Sequence, residues 1–104
     1  MTRHTEPKAV YTVRAKVWLY RGGGAWHFLT LSRKHAAAIR ALFAGGARPF
    51  GSLPVAVTIG ATEWRTSLFP DRKAGSYLLP IKASVRKAEQ IEDGTMETAT
   101  VQIL

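Results

Sequence analysis

The chain has 104 residues, of which 46% are apolar and 21% charged, which is typical of one compact soluble domain and excludes a disordered chain. It contains no cysteine, which excludes disulfides, thiolate nucleophiles and zinc sites built on sulfur. The net charge of +8 arises in residues 1–50, which contain nine Lys/Arg and one Glu. This imbalance favours binding of polyanions or acidic ligands. The alternative is that the basic residues form a solvated surface that keeps the protein soluble.

The first half of the chain predicts two strands, a helix and a third strand. Apolar residues alternate with basic and aromatic ones over residues 13–20, which indicates a half-buried strand. A glycine run then predicts a flexible hairpin turn into a second strand over 26–31. Ser32 is a good N-cap for a helix over 33–44, and a third strand follows over 55–59. The predicted apolar face of this helix contains Ala36, Ile39, Leu42 and Phe43.

The second half predicts the same kinds of element in the same order. Two strands over 64–69 and 76–79 are joined by a charged loop. Pro80 suits the start of a short helix over 81–89, because proline lacks only a donor that is unpaired at that position. Alternation over 99–103 predicts a closing strand.

The order strand, strand, helix, strand thus occupies residues 10–60 and returns over 63–104. Neither half could bury both faces of its sheet alone, so we expect the two halves to close on each other into a small barrel. The predicted fold class is mainly β, with six strands from two pseudo-repeated β-β-α-β halves and two short capping helices. A single domain is expected over 10–104, preceded by a flexible tail over 1–9.

Five segments resemble the domain of unknown function 1905 family: GSLPV at 51–55, IG at 59–60, WRTSLFP at 64–70, YLLP at 77–80 and VRKA at 85–88. The resemblance covers the chain from about residue 11 onward. It implies a partly open six-stranded barrel similar to the double-split barrel of AbrB/MazE-type transcription factors, with one chain supplying both halves. Larger members of the family carry a second domain similar to YdeI-type proteins, and we expect this chain to lack it.

One candidate site is a cluster that could bind an anion. On the predicted fourth strand, Trp64 and Leu68 make the better core, which leaves Arg65 outside. Charge-assisted hydrogen bonds to an anion are expected from the predicted second helix and neighbouring strands, at Arg65, Ser67, Tyr77, Lys82 and Arg86. The alternative is that Arg65 pairs with Glu63 or Asp71, and that the two helix residues are solvated or pair with Glu89.

A second candidate site is a nucleic-acid interface. Basic and stacking side chains share one face of the first predicted strand, as single-strand binders require: Arg14, Lys16, Trp18 and Tyr20. The first helix could add phosphate contacts from Arg33, Lys34 and Arg40. The alternative is that the two aromatic residues pack under a neighbouring helix.

Catalysis has the least support in the sequence. There is no Ser-His-Asp order and no nucleophile elbow, and acid-base work from Tyr77, Lys82 and Glu63 is not indicated by their spacing. The three histidines are scattered, so neither a metal site nor a cofactor is predicted. Without a long apolar run or a signal peptide, we expect a cytoplasmic monomer or weak homodimer with no membrane contact.

Overall fold

The computed structural model describes residues 9–47 and 51–104. Within them lie six strands: β1 (Ala9–Leu19), β2 (His27–Thr30), β3 (Leu53–Ile59), β4 (Thr62–Asp71), β5 (Ser76–Pro80) and β6 (Met96–Ile103). Helix α1 (Arg33–Phe43) is followed by a 3₁₀ turn, and α2 (Ala83–Glu89) precedes β6. The predicted tail over 1–9 lies outside the described residues, apart from Ala9, which begins β1.

The strands form a closed antiparallel barrel in the order β1-β2-β5-β4-β3-β6, with β6 returning to β1. The predicted mainly-β, six-stranded barrel with two short helices is confirmed. The barrel is closed where a partly open one was expected, because β2 pairs with both β1 and β5 and so joins the two halves.

The predicted repeat is visible in the ring of strands. Exchanging β1, β2 and β3 with β4, β5 and β6 leaves every pair of neighbouring strands unchanged. Two backbone hydrogen bonds between β2 and β5 are also equivalent under this exchange. The Leu31 N–H donates to the Tyr77 carbonyl (3.0 Å), and the Ile81 N–H donates to the His27 carbonyl (2.9 Å). The chain therefore folds as two similar halves around a pseudo-twofold axis.

The barrel interior is filled by the apolar residues of the period-2 pattern, since alternate side chains of each strand point inward. The largest fully buried strand residues come from both halves: Val17, Leu29, Val55, Val57, Ile59, Leu68, Leu79 and Ile103. This inward set forms one contiguous hydrophobic core with Ile39 of α1 and Val85 of α2.

The two helices close opposite ends of the barrel, because they follow β2 and β5, which run antiparallel. Helix α1 has the predicted cap, with the His35 N–H donating to Ser32 Oγ at 3.1 Å. Its Ala36 and Ile39 are buried, but Leu42 is 69% exposed, so the predicted apolar face was too wide at its C-terminal end. No helix in the described part of the chain has the length and apolarity of a membrane span.

Several element boundaries in the second half differ from the sequence prediction, among them the end of β4 and the start of α2. Strand β4 continues through Asp71, because Pro70 and Asp71 still pair with β5. Helix α2 begins at Ala83 with Lys82 as its N-cap, two residues later than the predicted start at residue 81. The reason is that the Ile81 N–H is bonded across to β2, which keeps residue 81 in the sheet hydrogen-bond pattern.

Candidate functional site

Strand β4 presents Arg65 on the outside of the barrel. Trp64 is only 6% exposed and Leu68 is fully buried, so their face points inward, as predicted. Arg65 and Phe69 are exposed on the opposite face. The local alternation of β4 therefore places a guanidinium and an aromatic ring side by side along the outer surface.

A cleft of about 430 Å³ lies between the β1–β2 turn, the outer face of β4 and the start of α2. We call it the basic cleft, after the three cationic residues in its lining: Arg65, Lys82 and Arg86. Trp26, His27 and Phe69 also line it. The cleft exists because β4 pairs with β5 only from Phe69 onward, so the earlier part of β4 has no strand on that side.

The cations of the basic cleft are not neutralised by nearby acids. Within the described residues no carboxylate oxygen lies within 4.0 Å of Arg65, Lys82 or Arg86. Two of the three acids predicted as partners accept hydrogen bonds from other residues. Glu89 Oε2 accepts from Thr62 Oγ1 at 2.6 Å, and Asp71 Oδ1 accepts from the Ala74 N–H at 3.3 Å. The three positive charges therefore face one cleft without a described counter-charge.

Arg86 is the most constrained of the three cations. Its Nη1 donates to the Ile81 carbonyl at 2.7 Å, and its side chain is half-buried. This bond fixes one edge of the guanidinium and leaves its other N–H groups available. Lys82, by contrast, is exposed at the N-cap of α2, where no side chain caps the helix.

The other two residues of the predicted anion cluster lie elsewhere. Ser67 is opposite Pro54 on the outer face of β4 and does not line the basic cleft. Tyr77 is 3% exposed and lines a separate cavity of about 280 Å³ with Arg40 and Arg72. The structure thus brings together three of the five predicted residues.

Sequence reasoning missed the contribution of the β1–β2 turn to the cleft. His27 Nδ1 lies 2.9 Å from the Ala25 carbonyl oxygen, which makes Nδ1 the donor and leaves Nε2 on the other side of the ring. Trp64 was assigned to the core alone, yet it also lines the cleft, and its buried indole N–H has no acceptor among the described residues. The available signal was Trp26 followed by His27, one residue after the glycine run.

Beside the cleft lies a groove of about 560 Å³ on the outer face of β1, β2, β4 and β5. We call this the aromatic surface; its apolar members are Trp18, Tyr20, Trp26, Phe28, Phe69 and Leu78. Trp26, Tyr20 and Phe69 are 52%, 46% and 43% exposed. An exposed apolar face of this kind marks a binding surface more often than scattered apolar residues do.

The rings of the aromatic surface hold one another in place. Trp26 stacks parallel to Phe28 with centroids 5.9 Å apart, and Trp18 packs on the same ring at 5.3 Å. The Trp18 indole N–H donates to Thr30 Oγ1 at 2.8 Å. Trp18 and Tyr20 therefore pack against β2 in the sheet face, and not under a neighbouring helix.

The glycine turn allows the Trp26 ring to lie over it. Gly24 has φ +78°, and a Cβ added there would come 2.8 Å from the Trp26 Cδ1 atom. Only glycine fits both the backbone and the ring at this point. The turn is therefore part of the candidate site, because it positions an aromatic side chain of both the cleft and the aromatic surface.

The predicted nucleic-acid residues are divided between two regions. Arg14 and Lys16 are exposed on the same face of β1 as the aromatic residues, and Arg14 Nη1 donates to Thr98 Oγ1 at 3.0 Å. The helix residues Arg33, Lys34 and Arg40 are exposed on α1, which closes the barrel end opposite α2. The strand residues adjoin the aromatic surface, whereas the helix residues lie at the far end from the basic cleft.

Comparison with known proteins identifies the family of this barrel. A comparison with curated proteins gives no match. The model of the domain of unknown function family DUF1905 matches residues 14–103, which is nearly the whole chain and includes both candidate surfaces. The resemblance carried by the five sequence segments is thereby confirmed, and the chain belongs to the DUF1905 family.

Proposed function

We propose that this domain is a non-catalytic binding module for an anionic ligand, which the basic cleft holds through Arg65, Lys82 and Arg86. The observation that carries the proposal is that three cations from β4 and the start of α2 face one cleft without a described carboxylate within 4.0 Å. Like charges in a concave site repel one another, and a bound anion relieves that repulsion.

The chemistry of the three side chains suits a phosphate, sulfate or carboxylate group. Arginine presents paired N–H donors that match two oxygens of such an anion, and these charge-assisted bonds are stronger than neutral ones. Arg86 is already fixed by the Ile81 carbonyl, so less side-chain freedom is lost when it binds.

The proposal is tested by titrating inorganic pyrophosphate into the protein at low salt and measuring binding by calorimetry. We expect Arg65→Gln and Lys82→Gln each to weaken binding by about 10- to 100-fold, the range for a hydrogen bond to a charged group. Lys87→Gln is the matched control, because Lys87 is an exposed lysine of α2 outside the cleft lining. It removes the same charge and should change the affinity by less than about twofold.

Two results would overturn this function. One is no binding of pyrophosphate up to about 10 mM, a concentration above the millimolar Kd of a weak site. The other is an equal loss of affinity in Lys82→Gln and Lys87→Gln, since the effect would then reflect net charge and not the cleft.

A second candidate function, nucleic-acid binding through the outer face of β1, is favoured by one observation. Arg14 and Lys16 are exposed on the same face as Trp18 and Tyr20, which contribute to the aromatic surface. Single-stranded nucleic acids bind surfaces that interleave cations and stacking rings in this way. A likeness to AbrB-type barrels adds support only at the level of the fold.

This candidate is tested by measuring the affinity for a mixed-sequence single-stranded oligonucleotide over a range of salt concentrations. If β1 contacts the strand, the double variant Arg14→Gln/Lys16→Gln should reduce the slope of log K against log salt by roughly 1.4, the value for two phosphate contacts. Lys87→Gln again serves as the control. An unchanged slope in the double variant, or no binding at low salt, would contradict this function.

A further inference from the structure

The basic cleft and the aromatic surface adjoin each other. Trp26 and Phe69 line both of them, one from the β1–β2 turn and the other from β4. A ligand held in the cleft therefore has aromatic rings within reach on the side where the cleft opens onto the sheet. The two volumes, about 430 and 560 Å³, are of the size of small-molecule sites.

We propose that the anionic ligand is a nucleoside phosphate, with its phosphate among Arg65, Lys82 and Arg86 and its base stacked on the aromatic surface at Trp26 or Phe69. This inference rests on the proposed function, because it specifies the ligand of the same cleft. It adds a chemical requirement that an inorganic anion does not meet, namely a planar ring joined to the charged group.

The charges of the two surfaces set the direction in which such a ligand lies. The cleft is lined by three cations, whereas the charged residue lining the aromatic surface is Asp71. A phosphate is attracted to the first and repelled by the second. The neutral base is therefore left on the aromatic surface, where the Asp71 carboxylate can accept a hydrogen bond from an amino group of the base.

The aromatic side of the site is held ready for stacking. Trp26 is backed by the parallel ring of Phe28 and still has 52% of its surface exposed. Its position over Gly24 further limits its movement. A base that stacks on such a ring gains affinity without first ordering a mobile side chain.

The experiment compares AMP with ribose 5-phosphate, which carries the same phosphate and sugar but no base. We expect AMP to bind about 5- to 100-fold more tightly, the range that stacking of one base on an aromatic ring provides. Trp26→Leu should reduce this ratio, because it lowers the affinity for AMP more than the affinity for ribose 5-phosphate or pyrophosphate, neither of which has a base to stack. Phe69→Leu should act in the same direction if the base reaches β4.

Leu42→Ala is the control for these variants, because Leu42 is an exposed apolar residue of α1 outside both surfaces. It should leave all three affinities unchanged. If pyrophosphate binds but AMP binds no better than ribose 5-phosphate, the nucleotide inference is overturned and the anion-binding function stands. If none of the three probes binds, the proposed function itself fails.

Two other outcomes would assign the aromatic surface to a different occupant and so overturn the inference. One is an unphosphorylated oligothymidylate that binds more tightly than AMP and loses affinity in Trp26→Leu, which would indicate a nucleic-acid strand. The other is a concentration-dependent dimer, measured by sedimentation, that Trp26→Leu dissociates, which would indicate a second copy of the chain.

Discussion

Replacing Leu79 with alanine is expected to lower the free energy of unfolding by about 2–5 kcal/mol, the range for removing a buried leucine from a packed core. Leu79 and Leu29 are fully buried and lie opposite each other where β5 pairs with β2. This pair joins the two halves of the barrel, so Leu29→Ala should cost a similar amount. Urea denaturation followed by circular dichroism measures both changes.

The control for this prediction is Leu78→Ala, because Leu78 is half-buried on the outer face of the same strand. This substitution should lower the free energy of unfolding by about 1 kcal/mol, since Leu78 buries less apolar surface on folding than Leu79 does. If Leu79→Ala does not fold, Leu79→Met keeps the volume and should cost less than about 1.5 kcal/mol. Equal losses of stability in Leu78→Ala and Leu79→Ala would contradict the assignment of Leu79 to the core and Leu78 to the outer face of β5.

The second large effect is expected at Trp64, whose ring fills the core beneath the basic cleft. Trp64→Ala should destabilise the protein by about 3–5 kcal/mol, because it removes the largest side chain type from a site only 6% exposed. Trp64→Phe should cost much less, within about 1.5 kcal/mol. It keeps an aromatic ring and removes an indole N–H that has no acceptor among the described residues.

This contrast rests on the cost of a buried donor without a partner, which is about 1–3 kcal/mol. The gain from removing that donor offsets the smaller volume of phenylalanine. The same urea denaturation measures both variants. A Trp64→Phe variant as unstable as Trp64→Ala would contradict this expected difference between the two substitutions.

Much of the fold could be predicted because its signals are local. The alternation in β1 and the Ser32 cap of α1 each depend on residues close in sequence, and both are present in the structure. Local signals failed where a distant partner decided the conformation. Pro70 and Asp71 look like loop residues, yet β5 pairs with them and extends β4. Similarly, α2 starts late because Ile81 is bonded to β2.

The candidate site was predicted only in part, because some of its features depend on neighbouring residues and others on distant strand pairing. Lys82 and Arg86 are close in sequence, and strand alternation turns Arg65 outward, so local geometry predicted these orientations. Only the fold brings β4 and α2 to one cleft. Ser67 shares the outer face of β4 with Arg65 but does not line the cleft, and Tyr77 is buried. Trp26 and His27 were missed because only the β2–β5 pairing brings their turn to this cleft.

By itself, the sequence determined a mainly-β chain of two similar halves with one basic half and an outward-facing Arg65, since periodicity, caps and charge are properties of neighbouring residues. Only the tertiary structure decided that the barrel closes, and that the β1–β2 turn lies against β4 and α2. The physical reason is that strand partners in a barrel are chosen by side chains distant in sequence. The basic cleft and the aromatic surface adjoin only after those strands have paired.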